Sequence, residues 1–249
     1  MPADRRNKPT TNPQQAKRPR AVNEESMSSV TPDLTHTITP NHALKRWILL
    51  TIIGVGVGLG VHNPAQAKSI LVMGDSLSAG YGIDPQQGWV HRLQSRLDQS
   101  QPGQHQVINA SVSGETSSGG LARLPKLLTT YRPDVVILEL GGNDGLRGQP
   151  PAILQSNLTR MVSLSQASKA KVLLLGMRIP PSYGTAYSTA FVESFKVVAN
   201  QQKIAFVPFF LDGVAGHAEL IQADGIHPKV SGQQRMLDNA YPAIQKVLK

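Results

Sequence analysis

Residues 69–82 read SILVMGDSLSAGYG, a short apolar run followed at once by a turn of small and polar residues. The apolar run, residues 69–73, has the length and composition of a buried β-strand. Gly80 and Gly82 favour a tight turn behind it. A serine just beyond such a strand, Ser76, sits on rigid backbone with its hydroxyl at the sheet edge, where a nucleophile is needed. Gly-Asp-Ser alone is common in loops, so the rest of the chain must supply partners for the serine.

The composition is that of one globular domain with an additional segment. The chain has 249 residues, of which 40% are hydrophobic and 16% are charged. It has no cysteine, which excludes disulfides, thiolate catalysis and cysteine-ligated metals. The net charge of +9 is spread along the chain: residues 1–67 carry eight Lys and Arg against four Asp and Glu, and the remainder carries seventeen against twelve. Without a dense basic run interleaved with aromatics, we predict no nucleic-acid partner.

The amino-terminal part does not have the pattern of a folded domain. Residues 1–44 are rich in Pro, Thr, Asn and Ser, and we predict that they are disordered. Residues 45–67 begin with Lys-Arg, continue with WILLTIIGVGVGLGV and end in Ala-Gln-Ala. This pattern predicts a secretory signal peptide, cleaved after residue 67, and a periplasmic or secreted protein. The apolar run is shorter than the ~20 residues of a membrane-spanning helix. An uncleaved membrane anchor is the alternative.

Residues 68–249 alternate short apolar runs with longer helical stretches. Strands are predicted at residues 70–73, 107–109, 135–140, 172–177 and 205–208. Helices are predicted at residues 89–99, 120–129, 152–168, 185–200 and 231–248, the last with Ser231 as its N-cap. Continuous apolar runs are typical of parallel strands covered on both faces. The expected fold is therefore a single α/β domain, a three-layer α/β/α sandwich with a five-stranded parallel sheet.

Loops rich in polar and small residues follow the predicted strands. Their sequences are GDS at residues 74–76, NASVSGET at 109–116, GGNDG at 141–145, RIPPSYG at 178–184 and, at some distance from the last strand, DGIHP at 224–228. Ligand sites of open parallel sheets lie beyond the carboxyl ends of the strands. We therefore expect these loops to meet at one edge of the sheet.

These loops contain the groups that acyl transfer requires. Ser76 is the candidate nucleophile, His227 the candidate base, and Asp224 the group that orients the base. Three donors are candidates for stabilising the oxyanion, namely the backbone N–H groups of Ser76 and Gly114 and the side-chain amide of Asn143. The chain lacks Gly-x-Ser-x-Gly, which argues against the α/β-hydrolase superfamily.

Other polar residues have simpler interpretations. His217 lies in a nearby loop and is the alternative base. Asp75 and Asp144 are predicted to organise turns by accepting hydrogen bonds from loop backbone. No His-Glu-x-x-His spacing and no Gly-x-Gly-x-x-Gly or Walker pattern after a strand occurs, so we predict no metal and no cofactor.

The blocks GDSLSAGYG, GGND and DGIHP, together with the Gly114 loop, resemble the four sequence blocks of the SGNH (GDSL) hydrolases. NASVSGETSSGGLARLPKLL, ELGGNDGLRG and RIPPSYGTAYSTAF are similar to its branch of bacterial periplasmic acyl-CoA thioesterase I and lysophospholipase proteins, and the resemblance spans residues 68–249. It implies a flavodoxin-like sheet, no cofactor, and hydrolysis of fatty acyl esters and thioesters, including aryl esters.

The resemblance also implies which residues contact the substrate. The loop at residues 145–150, which moves on substrate binding in that branch, begins with Gly145 and Leu146. The loop after the fourth strand, which helps to set acyl preference, contains Ile179, Pro180 and Tyr183.

Three other functions remain open at this point. They are a carbohydrate acetylesterase with the same triad, a non-catalytic binding module of the same fold, and a flavin-binding flavodoxin-like protein. For the hydrolase, we expect a monomer that acts on a small-molecule acyl ester or thioester. It would meet a membrane only transiently, through a lipid substrate or an uncleaved signal.

Overall fold

The computed structural model of the chain describes residues 67–249 and contains five strands. They are β1 (Lys68–Gly74), β2 (His105–Asn109), β3 (Val135–Glu139), β4 (Lys171–Leu175) and β5 (Ala205–Val207). All neighbouring strands pair in parallel, in the order β2-β1-β3-β4-β5. The predicted five-stranded parallel sheet is therefore confirmed, and its strand order is the flavodoxin-like one.

Helices cover the sheet in two groups. They are α1 (Ser76–Ala79), α2 (Trp89–Ser100), α3 (Ser117–Tyr131), α4 (Gly142–Leu146), α5 (Pro151–Ala167), α6 (Thr185–Gln202) and α7 (Val230–Leu248), with short 3₁₀ turns at Pro85–Gln87 and Pro181–Tyr183. Helix α2 packs with α7, while α5 packs with both α3 and α6. Buried Leu, Ile and Val side chains on β1, β3 and β4 fill the space between these layers. Their continuous apolar sequence follows from burial on both faces of the sheet.

The helix predictions differ from the structure in three places. Ser231 is not the N-cap of the last helix, because α7 begins at Val230 with Lys229 as its N-cap. Ser231 lies in the first turn, where its hydroxyl donates to the carbonyl of Glu219 at 3.2 Å. The other differences are α1 and α4, which the sequence analysis treated as loops. Helices this short have no apolar repeat by which a sequence could reveal them.

The parallel order creates a crevice between two neighbouring strands. From β1 the chain moves to one side to form β2, and then crosses back to form β3 on the other side of β1. The carboxyl ends of β1 and β3 therefore flank the point where the winding direction changes, the usual ligand position in such sheets. Helices α1 and α4 begin within three residues of these two strand ends.

The predicted disordered leader and most of the predicted signal peptide, residues 1–66, lie outside the described residues. Within residues 67–249, no helix combines the length and the apolar character needed to cross a membrane.

Candidate active site

Ser76 is the first residue of α1, immediately after β1. Asp75 caps this helix, because its Oδ1 accepts a hydrogen bond from the Leu77 N–H at 3.0 Å. Gly80 ends the helix with a φ of 77°, a left-handed conformation that glycine adopts without strain. The serine is thus held on a short, capped turn at the edge of the sheet.

His227 connects Ser76 to Asp224. The His227 Nε2 lies 2.9 Å from the Ser76 Oγ, although the two residues are 151 positions apart in the chain. The His227 Nδ1 lies 2.7 Å from the Asp224 Oδ2. Hydrogen bonds from the backbone N–H groups of His227 and Ile226, followed by the His227 ring, lower the pKa of Asp224 to about 2. Asp224 is therefore an anion at neutral pH, which suits an orienting group for a histidine base.

Two further residues that the sequence analysis missed hold the histidine loop against the serine turn. The Gln222 Nε2 donates to the Tyr81 carbonyl at 2.9 Å and to the Pro228 carbonyl at 3.1 Å, and its backbone N–H donates to the His227 carbonyl at 2.8 Å. The Tyr81 ring lies beside the His227 ring, with centroids 4.4 Å apart and planes tilted by 40°. The sequence does not reveal the contacts of Tyr81 with His227 or of Gln222 with Tyr81, because they join segments about 140 residues apart.

Asn143, the second residue of α4, faces the serine turn through Asp75. Its Nδ2 donates to the Asp75 Oδ2 at 3.1 Å. A primary amide has two N–H donors, so this bond orients the group and leaves its second donor for another acceptor. The arrangement is suitable for an oxyanion donor at the crevice between β1 and β3.

The loop that carries Gly114 is tied to the end of β1 and to α4. The Ser111 Oγ accepts from the Gly74 N–H at 3.0 Å, and the Val112 N–H donates to the Gly74 carbonyl at 3.1 Å. Gly114 has a φ of 78°, and its carbonyl accepts from the Arg147 Nη2 at 3.1 Å. These bonds hold the Gly114 loop beside the strand that leads to Ser76.

Two acidic residues stabilise the loops, as predicted. Asp75 caps α1, and Asp144 accepts from the backbone N–H of Ser117 at 2.8 Å and from its hydroxyl at 2.5 Å. Burial raises the pKa of Asp75 to about 6, although its hydrogen bonds to Leu77 and Asn143 oppose this.

A third acidic residue, Glu139, is fully buried next to Asp75. Burial and then the charge of Asp75 raise the pKa of Glu139 well above its usual value.

The five predicted substrate contacts lie on two segments that touch each other, although Gly145 and Leu146, predicted to lie on a loop, form the end of helix α4. Gly145 belongs to α4, and a methyl group in place of its hydrogen would lie 2.5 Å from the Ile179 Cγ2. Ile179 is buried, whereas Pro180 is exposed at the start of a 3₁₀ turn. The Tyr183 hydroxyl donates to the Leu146 carbonyl at 2.8 Å. Ile179 therefore packs against α4. Pro180 and Tyr183 are the more accessible of the five predicted substrate contacts.

The alternative base is directed elsewhere. The His217 Nδ1 lies 3.3 Å from a carboxylate oxygen of Glu219, on an exposed part of the surface. The imidazole within hydrogen-bond distance of the Ser76 hydroxyl is that of His227. Within residues 67–249, no three His, Asp or Glu side chains are grouped as metal ligands.

Sequence and structure comparisons agree on the relatives of this chain. A profile of the GDSL-like lipase/acylhydrolase family matches residues 72–235. Esterase TesA of Pseudomonas aeruginosa is 52% identical over 184 residues, which cover 74% of this chain and 91% of that protein. Thioesterase 1/protease 1/lysophospholipase L1 of Escherichia coli K12 is 38% identical over 174 residues, covering 70% of this chain and 82% of that protein. A crystal structure of the psychrotrophic esterase EstA from Pseudoalteromonas sp., inhibited by monoethylphosphonate, has a TM-score of 0.69 and 44% identity, covering 73% of this chain and 98% of that chain.

Proposed function

The chain belongs to the GDSL-like lipase/acylhydrolase family, and on that basis we propose that Ser76, His227 and Asp224 carry out its hydrolysis of esters and thioesters. The observation that supports this assignment is the continuous chain of hydrogen bonds from the Asp224 carboxylate through the imidazole to the Ser76 hydroxyl, at 2.7 Å and 2.9 Å. These distances are within the range that proton transfer requires.

The reaction follows from this geometry. The His227 Nε2 takes the proton of the Ser76 hydroxyl as the Oγ attacks the acyl carbonyl, and the Asp224 carboxylate stabilises the resulting imidazolium. The tetrahedral oxyanion accepts hydrogen bonds from the Ser76 and Gly114 N–H groups and the Asn143 amide. When the intermediate collapses, the imidazolium protonates the departing alcohol or thiol. Water, activated by the same histidine, then attacks the acyl-enzyme and releases the carboxylic acid.

The substrates that we propose are fatty acyl thioesters, lysophospholipids and simple aryl esters. The names of the relatives include esterase, thioesterase and lysophospholipase. The site loops also expose apolar side chains, with Tyr81 53%, Val112 45% and Ile226 41% exposed. An apolar rim favours an acyl chain over a carbohydrate, which would need polar partners.

Substitution of the nucleophile tests the assignment. We expect Ser76→Ala to lower kcat for p-nitrophenyl esters by at least ~10³-fold, because loss of the nucleophile removes the covalent pathway. His217→Ala is the matched control, since that histidine pairs with Glu219, and it should stay within about twofold of wild type. Wild-type turnover by Ser76→Ala would contradict the proposed mechanism.

Acyl-chain length tests the substrate class. We expect kcat/KM for p-nitrophenyl octanoate to exceed that for the acetate, because additional buried methylene groups contribute roughly 0.8 kcal/mol each. A strict preference for acetate would instead indicate the carbohydrate acetylesterase.

We also propose that the protein is exported and acts as a monomer. The basic, apolar and Ala-x-Ala segments of residues 45–67 support export to the periplasm or beyond. The enzyme would then contact membranes transiently, while taking up a lipid substrate.

A further inference from the structure

Glu139 is a charged residue type at the end of an otherwise apolar strand, and its side chain is completely buried. It pairs in register with Gly74, two residues before Ser76. A methyl group on Gly74 would lie 2.5 Å from the Glu139 Oε2, so the glycine provides the space that the carboxyl occupies. The proposed mechanism assigns no role to this group.

The Glu139 carboxyl contacts the turn that carries the nucleophile at two points. Its Oε2 accepts from the Ser78 hydroxyl at 2.6 Å and from the Asp75 N–H at 3.3 Å. The Ser78 hydroxyl in turn accepts from the indole N–H of Trp89 at 3.1 Å. The two residues bonded to Glu139 flank the Ser76–Leu77 pair, so one buried side chain holds the turn from both sides.

The same turn reaches the candidate oxyanion donor. The Asp75 backbone N–H donates to the Glu139 carboxyl, and the Asp75 carboxylate accepts from the Leu77 N–H and from the Asn143 amide. A displacement of the Asp75 backbone would therefore move the partner that orients the Asn143 amide. The amide lies at the end of this chain of contacts, which starts at Glu139.

The environments of the two carboxyls differ. Two donors approach Glu139 at one oxygen only, and the other oxygen, Oε1, has no hydrogen-bond partner among the described residues. A buried ionised carboxylate is costly without such partners, so this environment favours the protonated acid. Asp75 accepts a hydrogen bond on each oxygen, which favours its anion. The acidic group that faces Glu139 is Asp75, and two ionised carboxyls in contact would repel each other.

We propose that Glu139 is a positioning residue for the hydrolytic reaction: its buried carboxyl accepts hydrogen bonds from Asp75 and Ser78 and thereby fixes both the Ser76 turn and the orientation of the Asn143 amide. Because it supplies an acceptor, a neutral group of the same shape should serve as well as the acid. The proposal rests on the proposed function, since it concerns the same nucleophile and the same oxyanion donor.

Replacing a carboxyl by an amide tests the proposal at two residues that contact each other, Glu139 and Asp75. Glu139→Gln keeps an acceptor for both donors, and we expect its kcat to stay within about threefold of wild type. Asp75→Asn places an NH₂ group where either the Leu77 N–H or the Asn143 amide needs an acceptor. We expect its kcat to fall by about 10- to 100-fold, approaching the loss of an oxyanion donor, with KM within about twofold.

A third variant removes the hydrogen-bond acceptor at position 139 altogether. Glu139→Leu should lower kcat by about 10- to 100-fold, again with KM nearly unchanged. Glutamine at this position should therefore keep most of the kcat that leucine loses. Wild-type kcat in folded Glu139→Leu would overturn the proposal. So would a loss in Glu139→Gln as large as that in Asp75→Asn, because it would show that the charge is needed and not the acceptor.

Ser78→Ala keeps the test decisive if Glu139→Leu does not fold. It removes the hydroxyl that donates to Glu139 and accepts from the Trp89 indole N–H, and it leaves the carboxyl in place; we expect a fall of about 3- to 10-fold in kcat. An unchanged kcat would then overturn the proposal. Ser76→Ala, assayed in parallel on the full chain, separates the two hypotheses, because wild-type turnover there would count against the proposed function and not against Glu139.

Discussion

Asp75 occupies a central position between Ser76, the proposed nucleophile, and Asn143, the candidate oxyanion donor. One carboxylate oxygen caps α1, and the other orients the Asn143 amide. The side chain is only 2% exposed, and burial raises its pKa to about 6. A single buried acid therefore couples the geometry of the site to its protonation state.

This coupling predicts a pH dependence of stability. Asp75 has a pKa of about 6 in the folded protein against 3.8 in a model peptide, so between these values the folded protein binds the additional proton. The free energy of unfolding should therefore fall as the pH rises from 4 to 6. The raised pKa of Glu139 also makes the stability fall as the pH rises. The lowered pKa of Asp224 has its effect below pH 4, where it makes the stability fall as the pH is lowered.

Urea unfolding at pH 4, 5, 6 and 7 measures the effect. Asp75→Asn lacks the titrating group, so its stability should change less over this range than that of wild type. Identical slopes for the two proteins would show that Asp75 does not titrate as described.

Tyr81 is predicted to orient the imidazolium of His227. The two rings are 4.4 Å apart, a distance at which an aromatic face attracts a cation by about 0.5–1 kcal/mol. Tyr81→Ala should therefore lower kcat by about two- to fivefold, and Tyr81→Phe, which keeps the ring, should restore most of it. Steady-state kinetics of the pair provide the measurement; equal losses in both variants would assign the effect to the hydroxyl.

At the scale of the elements, two short helices and one bridging side chain assemble the site. Helices α1 and α4 begin just beyond the ends of β1 and β3, and they carry Ser76 and Asn143. Gln222 joins the backbone that follows α1 to the loop that carries His227. The relative position of the proposed nucleophile and base, Ser76 and His227, thus depends on this bridge as well as on the sheet.

Removal of the bridge is predicted to impair catalysis selectively. Gln222→Met has a similar volume and loses both side-chain hydrogen bonds, so kcat should fall by about 5- to 30-fold with little change in KM. The matched control is Gln234→Met, at an exposed glutamine of α7 that donates to Asp238. A Gln222→Met enzyme as active as the control would show that the sheet alone maintains the alignment.

At the scale of the whole molecule, every residue assigned to the site lies within 68–249. The strand order places the ends of β1 and β3 side by side, where the winding direction changes. The groups of the proposed mechanism converge on this one edge, and none comes from residues 1–67. We propose that residues 45–67, in the preceding part of the chain, serve export.

Export gives a prediction for the mature protein. Mass spectrometry of the exported enzyme should identify Lys68 as its first residue, because signal peptidase cleaves after an Ala-x-Ala site. An amino terminus upstream of Trp47 would refute cleavage and favour the uncleaved anchor.

Much of the fold was accessible from sequence because its signals are local. The strands were predicted to within two residues at each end, and the five long helices were also found, since apolar runs and helical repeats report burial directly. Ser231 was wrongly expected to cap α7, because a capping residue type cannot reveal which neighbouring residue starts the helix. Glu139 lies at the end of an apolar run, and a carboxyl in a buried strand is itself a sequence signal of a special role.

The sequence by itself determined a parallel α/β sheet with polar loops at one edge, because strands buried on both faces must be apolar at every position and are therefore visible as continuous apolar runs. It also singled out Ser76, Asp224 and His227 as candidates by residue type and context. Only the tertiary structure decided that Ser76 and His227 meet at 2.9 Å across 151 residues, that Asp75 holds Asn143, and that Glu139 lies beneath the nucleophile turn. Such contacts depend on the register and packing of segments far apart in the chain, to which no local pattern refers.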